Sequence, residues 1–385
     1  VQLDCPVTID GTEYECSYVE LGDPGLPHAV IPVKGLKDFP ADKLFALGRK
    51  MRYADVFPKG ANVNFYEILG EDHVLERTYE RGVEDFTYAC GTGTGSLVTV
   101  LTLRGKVSGR NVRVDMRGGQ LIIDIMLFIR RQQHPRLFLH NNGLLWVDGK
   151  ERPATWMNAV ENGRPITPRT GYVVEINALW YNARLFTADI QRCLGKEQIA
   201  DLMEYQAEIT KDSFIKTFWN GVYLDDYVEG DYHNKEVRPN QIIAASLPYS
   251  PLDKRQRKAV VDICTKELYT PKGLRTISPK SGDYRPEYIG GQLERDRNFH
   301  NGPVWPWTIA AYAIAYLKVY QHSGENFIRR LLTGYEAEMS ELCIGTLNEL
   351  YDGNPPFRGH GGMSYAPSVA SVIEVCNTLK QYEEK

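Results

Sequence analysis

The chain has 385 residues, of which 43% are apolar and 24% charged, so extensive disorder is not expected. Its formal net charge of −4 gives no general attraction to nucleic acid or to an anionic membrane surface. No apolar stretch approaches the ~20 residues of a membrane helix. We therefore expect neither nucleic acid nor a membrane as a partner, and the length favours two domains.

The first domain is expected to span residues 1–125. Short runs rich in β-branched residues and broken by Gly, Pro and Asp predict a small, mostly β domain with one or two helices, an α+β fold. The predicted strands cover residues 29–32, 63–69, 97–103, 112–116 and 121–125. Residues 126–142 fit neither this pattern nor the next one, and we assign them to a junction.

The second domain is expected to span residues 143–385. Longer stretches with helical periodicity dominate it, separated by loops rich in Pro, Gly and Asn, so the prediction is an all-α domain. The predicted helices include residues 175–194, 251–268, 304–320 and 327–350. No internal repeat is evident, which argues against a solenoid.

The seven cysteines are scattered along the chain and never form Cys-x-x-Cys pairs. This pattern indicates a reducing compartment rather than a disulfide framework or a zinc site. We therefore expect a cytoplasmic protein that uses neither a metal nor another cofactor.

Cys90 directly precedes a glycine-rich segment, residues 91–95, which we expect to open a helix. At that position the positive end of the helix dipole would stabilise a thiolate, and the free amide groups of the first turn could hold a carboxylate. No Lys-Ser or Lys-Thr pair follows, so the segment is not a phosphate-binding P-loop. A lone cysteine is more often a buried structural thiol, so its neighbours decide between the two interpretations.

Those neighbours favour chemistry at Cys90. The segments Glu80-Arg81-Gly82, Ala89-Cys90-Gly91-Thr92-Gly93, Asn62-Val63-Asn64-Phe65 and Pro27-His28-Ala29-Val30 resemble signatures of diaminopimelate epimerase, a cofactor-independent amino-acid epimerase. The resemblance implies an amino-acid substrate bound by Asn62, Glu80 and Arg81, with its α-carboxylate at Gly91 and Thr92. Cys90 would exchange a proton with the α-carbon. The second cysteine of that family lies in a half-domain with no counterpart here.

In the second domain, aromatic side chains repeatedly stand beside amides, carboxylates or guanidinium groups. Sugar sites use such pairs, because a ring packs on the CH face of a pyranose while polar groups bind its hydroxyls. Trp and Tyr more often serve the core, so a single pair would mean little. Several pairs at loop–helix junctions favour carbohydrate binding.

Four of these segments are Thr155-Trp156-Met157-Asn158-Ala159, Glu175-Ile176-Asn177-Ala178-Leu179-Trp180, Arg238-Pro239-Asn240-Gln241 and Gly273-Leu274-Arg275-Thr276. In this order they resemble the amylo-α-1,6-glucosidase domain of glycogen debranching enzyme in its bacterial form. The resemblance implies an (α/α)6 toroid, incomplete in this chain, that hydrolyses α-1,6-linked glucose with inversion. It also implies a glucose subsite formed by Trp156, Glu175, Asn177, Arg238, Asn240, His300 and Trp305.

Inverting hydrolysis needs one protonated carboxylic acid for the leaving oxygen and one carboxylate that activates water. By resemblance, Glu349 is the candidate base, and the acid belongs at Asn158, where the family has aspartate. An amide does not donate a proton to a leaving alkoxide at useful rates. Asn158 therefore predicts weak or absent turnover.

Three functional hypotheses follow for a chain that looks like a composite of two families. The first is an α-1,6-glucosidase type of hydrolase acting on an α-glucan or oligosaccharide. The second is an amino-acid epimerase half-domain. The third is a carbohydrate-binding protein without catalysis, which would bind maltooligosaccharide and release no glucose.

Overall fold

The computed structural model describes residues 1–21, 26–87, 90–109, 112–116, 125–193, 195–341 and 345–383. The chain divides into two compact units, Val1–Ile125 (unit 1) and Met126–Lys385 (unit 2). Most of the strand predicted over residues 121–125 and the end of the helix predicted at residue 194 lie outside the described residues. Residue 125 itself belongs to a helical stretch over residues 125–130.

Unit 1 is built on a six-stranded sheet preceded by a hairpin. The strands are β1 (Val7–Ile9) and β2 (Thr12–Tyr14) in the hairpin, then β3 (Ser17–Leu21), β4 (Leu26–Pro32), β5 (Asn62–Gly70), β6 (His73–Glu80), β7 (Asp85–Thr87) and β8 (Arg113–Asp115). The sheet order is β3-β4-β5-β6-β7, with β8 pairing on β6. The β4–β5 and β6–β8 pairs are parallel, and the other pairs in the sheet are antiparallel.

A helix covers each face of this sheet. Helix α1 (Ala41–Arg52) connects the parallel strands β4 and β5, and α2 (Gly91–Leu103) packs on β3, β4 and β5. The side chains alternate accordingly: Ile31 and Phe65 belong to the core that includes α1, whereas Val30 and Tyr66 belong to the core that includes α2. Because both faces are buried, β4 reads as a continuous apolar run rather than as an alternating one.

The strand predicted over residues 97–103 is wrong, because these residues form the second half of α2. Their β-branched residues suggested a strand, but Leu97, Val100 and Leu101 are buried at helical spacing. The helix predicted to open at the glycine-rich turn is the structure that forms. Intrinsic β-propensity is weak here against packing of one helical face on the sheet.

Unit 2 contains most of the helices. They are α3 (Val174–Cys193), α4 (Glu197–Phe218), α5 (Asn240–Ser246), α6 (Lys254–Leu268), α7 (Gln292–Asn298), α8 (Ile309–Tyr320), α9 (Glu325–Thr333), α10 (Glu338–Glu341) and α11 (Ala366–Glu383), with 3-10 turns at Pro306–Thr308 and Gln321–Gly324. Helix α5 packs against α3, α6 and α8, and α8 also packs against α11. The core between them includes fully buried Phe214, Phe218, Leu268 and Tyr312.

The all-α prediction for unit 2 needs correction, because a five-stranded antiparallel sheet runs through it. Its order is β15 (Tyr232–Asn234), β14 (Tyr227–Glu229), β13 (Gly171–Val173), β10 (Leu145–Val147) and β9 (Leu137–Leu139). Three smaller hairpins pair β11 (Val160–Glu161) with β12 (Arg164–Pro165), β16 (Tyr269–Thr270) with β17 (Gly273–Leu274), and β18 (Leu350–Tyr351) with β19 (Gly359–His360). Strands of two or three residues are too short to produce a recognisable period.

Some helix boundaries also differ from the predictions. The helix predicted over residues 327–350 ends at Thr333, and the chain then passes through α10 to the strand β18. Gly345, with φ of 73°, lies in that connection. Helix α6 begins at Lys254 because Asp253 caps it with a capping box. No helix within the described ranges is both long and apolar enough to cross a membrane.

Candidate functional site

In unit 1, Cys90 is the residue that immediately precedes α2. Its backbone is extended, with φ of −135° and ψ of 102°, and its carbonyl accepts a hydrogen bond of 2.9 Å from the amide of Thr94. The thiol is buried, at 7% exposure, and Sγ lies 3.6 Å from Oγ1 of Thr92. Gly91 is exposed. No acidic residue lies in the first turn of α2 to compete for an anion.

A chain of buried polar side chains lies on the sheet face that α2 covers. The Nδ1 atom of His28 lies 2.9 Å from Oδ1 of Asn64, and Nδ2 of Asn64 donates to Oε1 of Glu76 at 2.7 Å. Oε2 of Glu76 accepts a hydrogen bond of 2.6 Å from Oγ1 of Thr94 in α2. Burial lowers the pKa of His28 and raises the pKa of Glu76.

The predicted substrate residues of unit 1 lie at the edge of this polar chain. Oδ1 of Asn62 accepts a hydrogen bond of 2.7 Å from the amide of Arg81, and its Nδ2 lies 3.5 Å from Nε2 of His28. Val63 pairs with Tyr79 in the register of β5 and β6, and Asn62 and Glu80 are the next residues along these two strands. Glu80 is close enough to His28 to act on its pKa. The structure thus brings Asn62, Glu80 and Arg81 into one neighbourhood.

Gly93 connects Cys90 to the polar chain. A Cβ atom at Gly93 would lie 2.3 Å from Nδ2 of Asn64 and 3.2 Å from Sγ of Cys90. The side chain of Asn64 therefore contacts the first turn of α2 directly beside the thiol. Any side chain at this position would have to displace the amide of Asn64, and glycine avoids that displacement.

In unit 2, the most deeply buried charge is Arg169, whose side chain is 1% exposed. Its guanidinium group is paired with both oxygens of Glu175, and it donates from Nε and Nη2 to the two oxygens of Asp226 at 2.8 and 2.9 Å. Burial opposes the charge, but the two carboxylates outweigh it and raise the pKa of Arg169. The cation and both anions are fully hydrogen-bonded to each other, as buried charges require.

An amide, an indole and a second guanidinium group extend this ion cluster. Nδ2 of Asn240 donates to Oδ1 of Asp226 at 2.7 Å, and Oδ1 of Asn240 accepts from Nε1 of Trp156 at 2.7 Å. Arg238 lies 4.0 Å from Asp226 through its Nε and donates from Nη1 to the carbonyl of His300 at 2.8 Å. Burial lowers the pKa of Arg238. These contacts join four of the predicted sugar residues, Trp156, Arg238, Asn240 and, through its backbone carbonyl, His300.

His300 and the tryptophans form an aromatic cluster next to these residues. The His300 ring stacks on Trp305 with centroids 5.6 Å apart, and Trp156 meets His300, Trp305 and Trp307 edge to face at 5.3, 5.7 and 5.0 Å. His300 is 1% exposed, and neither ring nitrogen has a hydrogen-bond partner among the described residues. Burial and the cations of Arg238 and Arg169 lower its pKa to about 3. His300 is therefore a neutral ring with unused polar atoms.

The two residues predicted to carry hydrolysis are connected to this cluster indirectly. Asn158 is exposed and follows Trp156 by two residues. Glu349 is half-buried, immediately before β18, and its Oε2 accepts a hydrogen bond of 2.9 Å from the amide of Gly362. Burial, and then the charge of Glu349, raise the pKa of Tyr365, whose ring lies 6.4 Å from that of Trp305.

Two other predicted subsite residues are occupied by structural contacts. Both side-chain atoms of Asn177 bind the backbone: Oδ1 accepts from the amide of Leu145 at 2.7 Å, and Nδ2 donates to the carbonyls of Leu145 and Val173 at 3.0 Å. Asn177 thus ties α3 to strands β10 and β13. Glu175 is held by Arg169, as described above, so its charge is already compensated.

A cleft of about 840 Å³ opens on the other side of the ion cluster. Its walls are predominantly polar; the residues with charged or amide side chains are Glu161, Asn162, Arg164, Arg169, Asp226, Asn234, Arg238, Asp283, Arg285, Arg297 and Asn301. Of the predicted sugar residues, Arg238 is the one that lines it. This cleft is therefore lined by ions of the buried cluster but not by the aromatic cluster.

From the sequence, no role was assigned to the residues that organise unit 2, Arg169 and Asp226. Arg169 stands in the segment Thr167-Pro168-Arg169 without an aromatic neighbour, and Asp226 follows another aspartate, Asp225, before β14. Their common signal was a charge at the edge of a strand, which is typical of exposed residues. Only the fold shows that these charges face each other. Within the described ranges, no group of three or more His, Cys, Asp or Glu residues is arranged to hold a metal ion.

Unit 2 is thus defined by helices and short strands around a buried ion cluster, which contacts an aromatic cluster through Asn240 and Trp156. A solved structure titled sialidase shares this fold with a TM-score of 0.51 at 16% identity, over 68% of this chain and 24% of that chain. The sequence model of the amylo-alpha-1,6-glucosidase family matches residues 65–374, more than half of the chain. The chain belongs to the amylo-alpha-1,6-glucosidase family.

Unit 1 has relatives of another kind. Diaminopimelate epimerases from Aquifex aeolicus, Thermotoga maritima and Archaeoglobus fulgidus are 40%, 43% and 42% identical to this chain over 117, 115 and 101 residues. These matches cover 30%, 30% and 26% of this chain. The chain spans 40%, 42% and 34% of the length of these three relatives. Both resemblances seen in the sequence are confirmed, and one chain combines them.

Proposed function

We propose that unit 2 binds an α-linked glucan at the aromatic cluster and corresponds to an inverting α-1,6-glucosidase site whose general acid is replaced by Asn158. The observation that carries this proposal is the arrangement around Trp156 and Trp305. Asn158 follows Trp156 by two residues in the sequence. Burial, and then the charge of Glu349, raise the pKa of Tyr365, whose ring lies 6.4 Å from that of Trp305. Both candidate positions are thus linked to one aromatic cluster of the kind that packs on a pyranose.

The buried ion cluster has a supporting part in this site. Asp226 holds Asn240, and Asn240 holds the indole of Trp156, so the ring is fixed in place before a sugar arrives. The unused nitrogens of neutral His300 offer one donor and one acceptor, the pair that a sugar hydroxyl requires. A preorganised site of this kind binds with little ordering cost.

Turnover at this site is limited by the missing acid. General acid catalysis contributes about 10²- to 10⁴-fold to such reactions, and the amide of Asn158 cannot supply it. As it stands, unit 2 should bind maltooligosaccharide and release little glucose. This expectation combines the family's substrate with the chemistry of one replaced side chain.

The test restores the acid. Asn158→Asp should raise glucose release from a branched dextrin by about 10²-fold or more, and Asn158→Asp combined with Glu349→Gln should abolish the gain. Maltotriose binding, measured by calorimetry, should be similar in all these proteins and should be lost in Trp156→Ala. Unchanged glucose release in a folded Asn158→Asp variant that still binds maltotriose would contradict the assignment of Asn158.

A second function is proposed for unit 1, because Cys90 lies at the start of α2 beside Asn64 and the neighbourhood of Asn62 and Arg81. The first turn of α2 would hold the α-carboxylate of diaminopimelate, and the Cys90 thiolate would remove the α-proton. In D₂O the resulting thiol exchanges its proton with solvent and returns a deuteron to the α-carbon. A single cysteine therefore supports exchange even without inversion.

Mass spectrometry of diaminopimelate after incubation in D₂O tests this second function. Deuterium incorporation should occur with the intact chain and disappear in Cys90→Ala. Cys193→Ala is the matched control, since Cys193 is an exposed thiol at the end of α3. Incorporation that persists without Cys90, or that never occurs, would remove the epimerase role.

A further inference from the structure

The orientation of the Asn64 amide determines which atoms of the polar chain in unit 1 donate hydrogen bonds and which accept them. Nδ2 of Asn64 donates to Oε1 of Glu76 at 2.7 Å and to Oγ1 of Thr78 at 3.0 Å. Both carboxyl oxygens of Glu76 accept hydrogen bonds, Oε1 from Asn64 and Oε2 from Thr94, so the NH₂ group of Asn64 faces Glu76. The amide oxygen of Asn64 is consequently directed at His28.

That orientation fixes the proton on His28. Oδ1 of Asn64 lies 2.9 Å from Nδ1 of His28, and an amide oxygen cannot donate, so Nδ1 must carry the hydrogen. His28 is fully buried, which favours the neutral ring. A neutral ring with its hydrogen on Nδ1 has a lone pair on Nε2, and Nε2 lies 3.5 Å from Nδ2 of Asn62.

The second oxygen of Glu76 reaches the helix that follows Cys90. Oγ1 of Thr94 donates to Oε2 of Glu76 at 2.6 Å, and the amide of Thr94 donates to the carbonyl of Cys90 at 2.9 Å. Glu76 is 1% exposed, and no Lys, Arg or His side chain forms an ion pair with it within the described residues. The hydrogen bonds of its carboxyl group are made with Asn64, Thr78 and Thr94.

We propose that Glu76 is a positioning residue for this site: through Asn64 it sets the tautomer of His28, and through Thr94 it holds the first turn of α2 beside Cys90. A buried acid has a high desolvation cost, so its retention beneath α2 needs a compensating set of donors. Asn64, Thr78 and Thr94 are those donors. The inference rests on the proposed amino-acid site of unit 1.

The tautomer can be read directly from the imidazole nitrogens. Long-range ¹H–¹⁵N spectra of the full chain with labelled histidine distinguish a protonated nitrogen from one with a lone pair, and His28→Gln identifies the His28 signals. The wild-type chain should carry the hydrogen on Nδ1. A hydrogen on Nε2 in the wild-type chain would overturn the inference without any further variant.

The variant Glu76→Gln tests whether the carboxyl group of Glu76 sets the tautomer of His28. A glutamine amide can donate as well as accept, so Asn64 can turn over, and we expect the tautomer ratio of His28 to change by about tenfold or more. Thr78→Val is the matched control, because it removes the other acceptor of Asn64 and keeps the carboxylate. An unchanged ratio in Glu76→Gln, or an equal change in Thr78→Val, would refute the role of the carboxylate.

Thr94→Val tests the helix separately and applies even if Glu76→Gln fails to fold. Loss of its hydrogen bond to a carboxylate should speed amide exchange over residues 91–95 by about tenfold, with the His28 tautomer unchanged. Unaltered exchange would refute the contact with α2. None of these measurements needs a substrate, so their failure is distinct from a failure to deuterate diaminopimelate.

Discussion

The two units bury polar groups in opposite ways. Unit 1 places one carboxylate, Glu76, against neutral amides and hydroxyls on a sheet face. Unit 2 joins a cation and two carboxylates, centred on Arg169, and the ring nitrogens of nearby His300 have no hydrogen-bond partner among the described residues. In unit 1 the hydrogen bonds determine which side-chain atoms donate and which accept. In unit 2 the ion pairs compensate the buried charges of Arg169, Glu175 and Asp226.

This difference predicts that the stability of unit 2 depends more strongly on a single side chain than the stability of unit 1 does. A buried ion cluster is strongly destabilised when one member is removed, because the remaining charges are uncompensated. In the hydrogen-bond network of unit 1, removing one side chain removes only the hydrogen bonds that this side chain makes. The following changes, in order of expected effect, would break or sharpen this contrast.

Arg169→Met should have the largest effect. It leaves Glu175 and Asp226 buried without their cation, and we expect unit 2 to lose about 3–5 kcal/mol of stability. Hydrogen exchange over residues 174–193, resolved by mass spectrometry, measures this loss. Arg192→Met is the matched control, since Arg192 also pairs with three acidic residues but at an exposed position, and it should leave stability nearly unchanged.

His300 should make the stability of unit 2 sensitive to acid. Folded His300 has a pKa of about 3, whereas the unfolded residue takes up a proton below about 6.5. The unfolded state therefore binds more protons in this window, so stability is complete above pH 6.5 and falls as the pH drops toward 3. By pH 5 the loss should be about 2 kcal/mol.

His300→Gln should remove this part of the pH dependence, as measured by denaturant unfolding at pH 7.5 and pH 5. His322→Gln is the control, because His322 lies on the surface with a 65% exposed side chain. An equal slope in the wild-type chain and in His300→Gln would show that other groups cause the acid sensitivity.

Gly93→Ala should have the smallest effect on stability, of about 1 kcal/mol or slightly more, because its methyl group would displace the amide of Asn64. The comparison is Gly91→Ala at the same helix end, where a Cβ atom meets nothing within 4 Å. Gly91→Ala should leave stability unchanged or raise it by a few tenths of a kcal/mol. Thermal unfolding of unit 1 distinguishes them, and equal effects would contradict the close approach of Asn64 to α2.

Much of the organisation could be predicted from the sequence, with a clear physical limit. The long helices α3 and α6 and the strands β4 and β5 were predicted within a few residues, because their periodicity extends over enough residues to be read. The short strands of unit 2 could not be predicted, since a three-residue strand such as Leu145–Val147 contains no full pattern. Its pairing depends on residues distant in sequence.

The candidate sites follow the same rule. Motifs that are local in sequence, such as the turn after Cys90 or the segment around Trp156, were visible beforehand. Arg169 and Asp226 are separated by 57 residues and become a pair only through the fold. Glu76 gave no signal at all, because a glutamate on a strand ordinarily faces solvent. Its burial results from the position of α2 over the sheet.

Because the two units have separate cores, the protein's own tryptophan fluorescence can follow the unfolding of one unit separately from the other. All six tryptophans, at positions 146, 156, 180, 219, 305 and 307, belong to residues 126–385, whereas residues 1–125 contain tyrosine but no tryptophan. Indole emission therefore follows the loss of structure in unit 2 alone. A transition seen by circular dichroism but silent in indole emission is assigned to unit 1, which contains Cys90, so one sample reports on both units without a label.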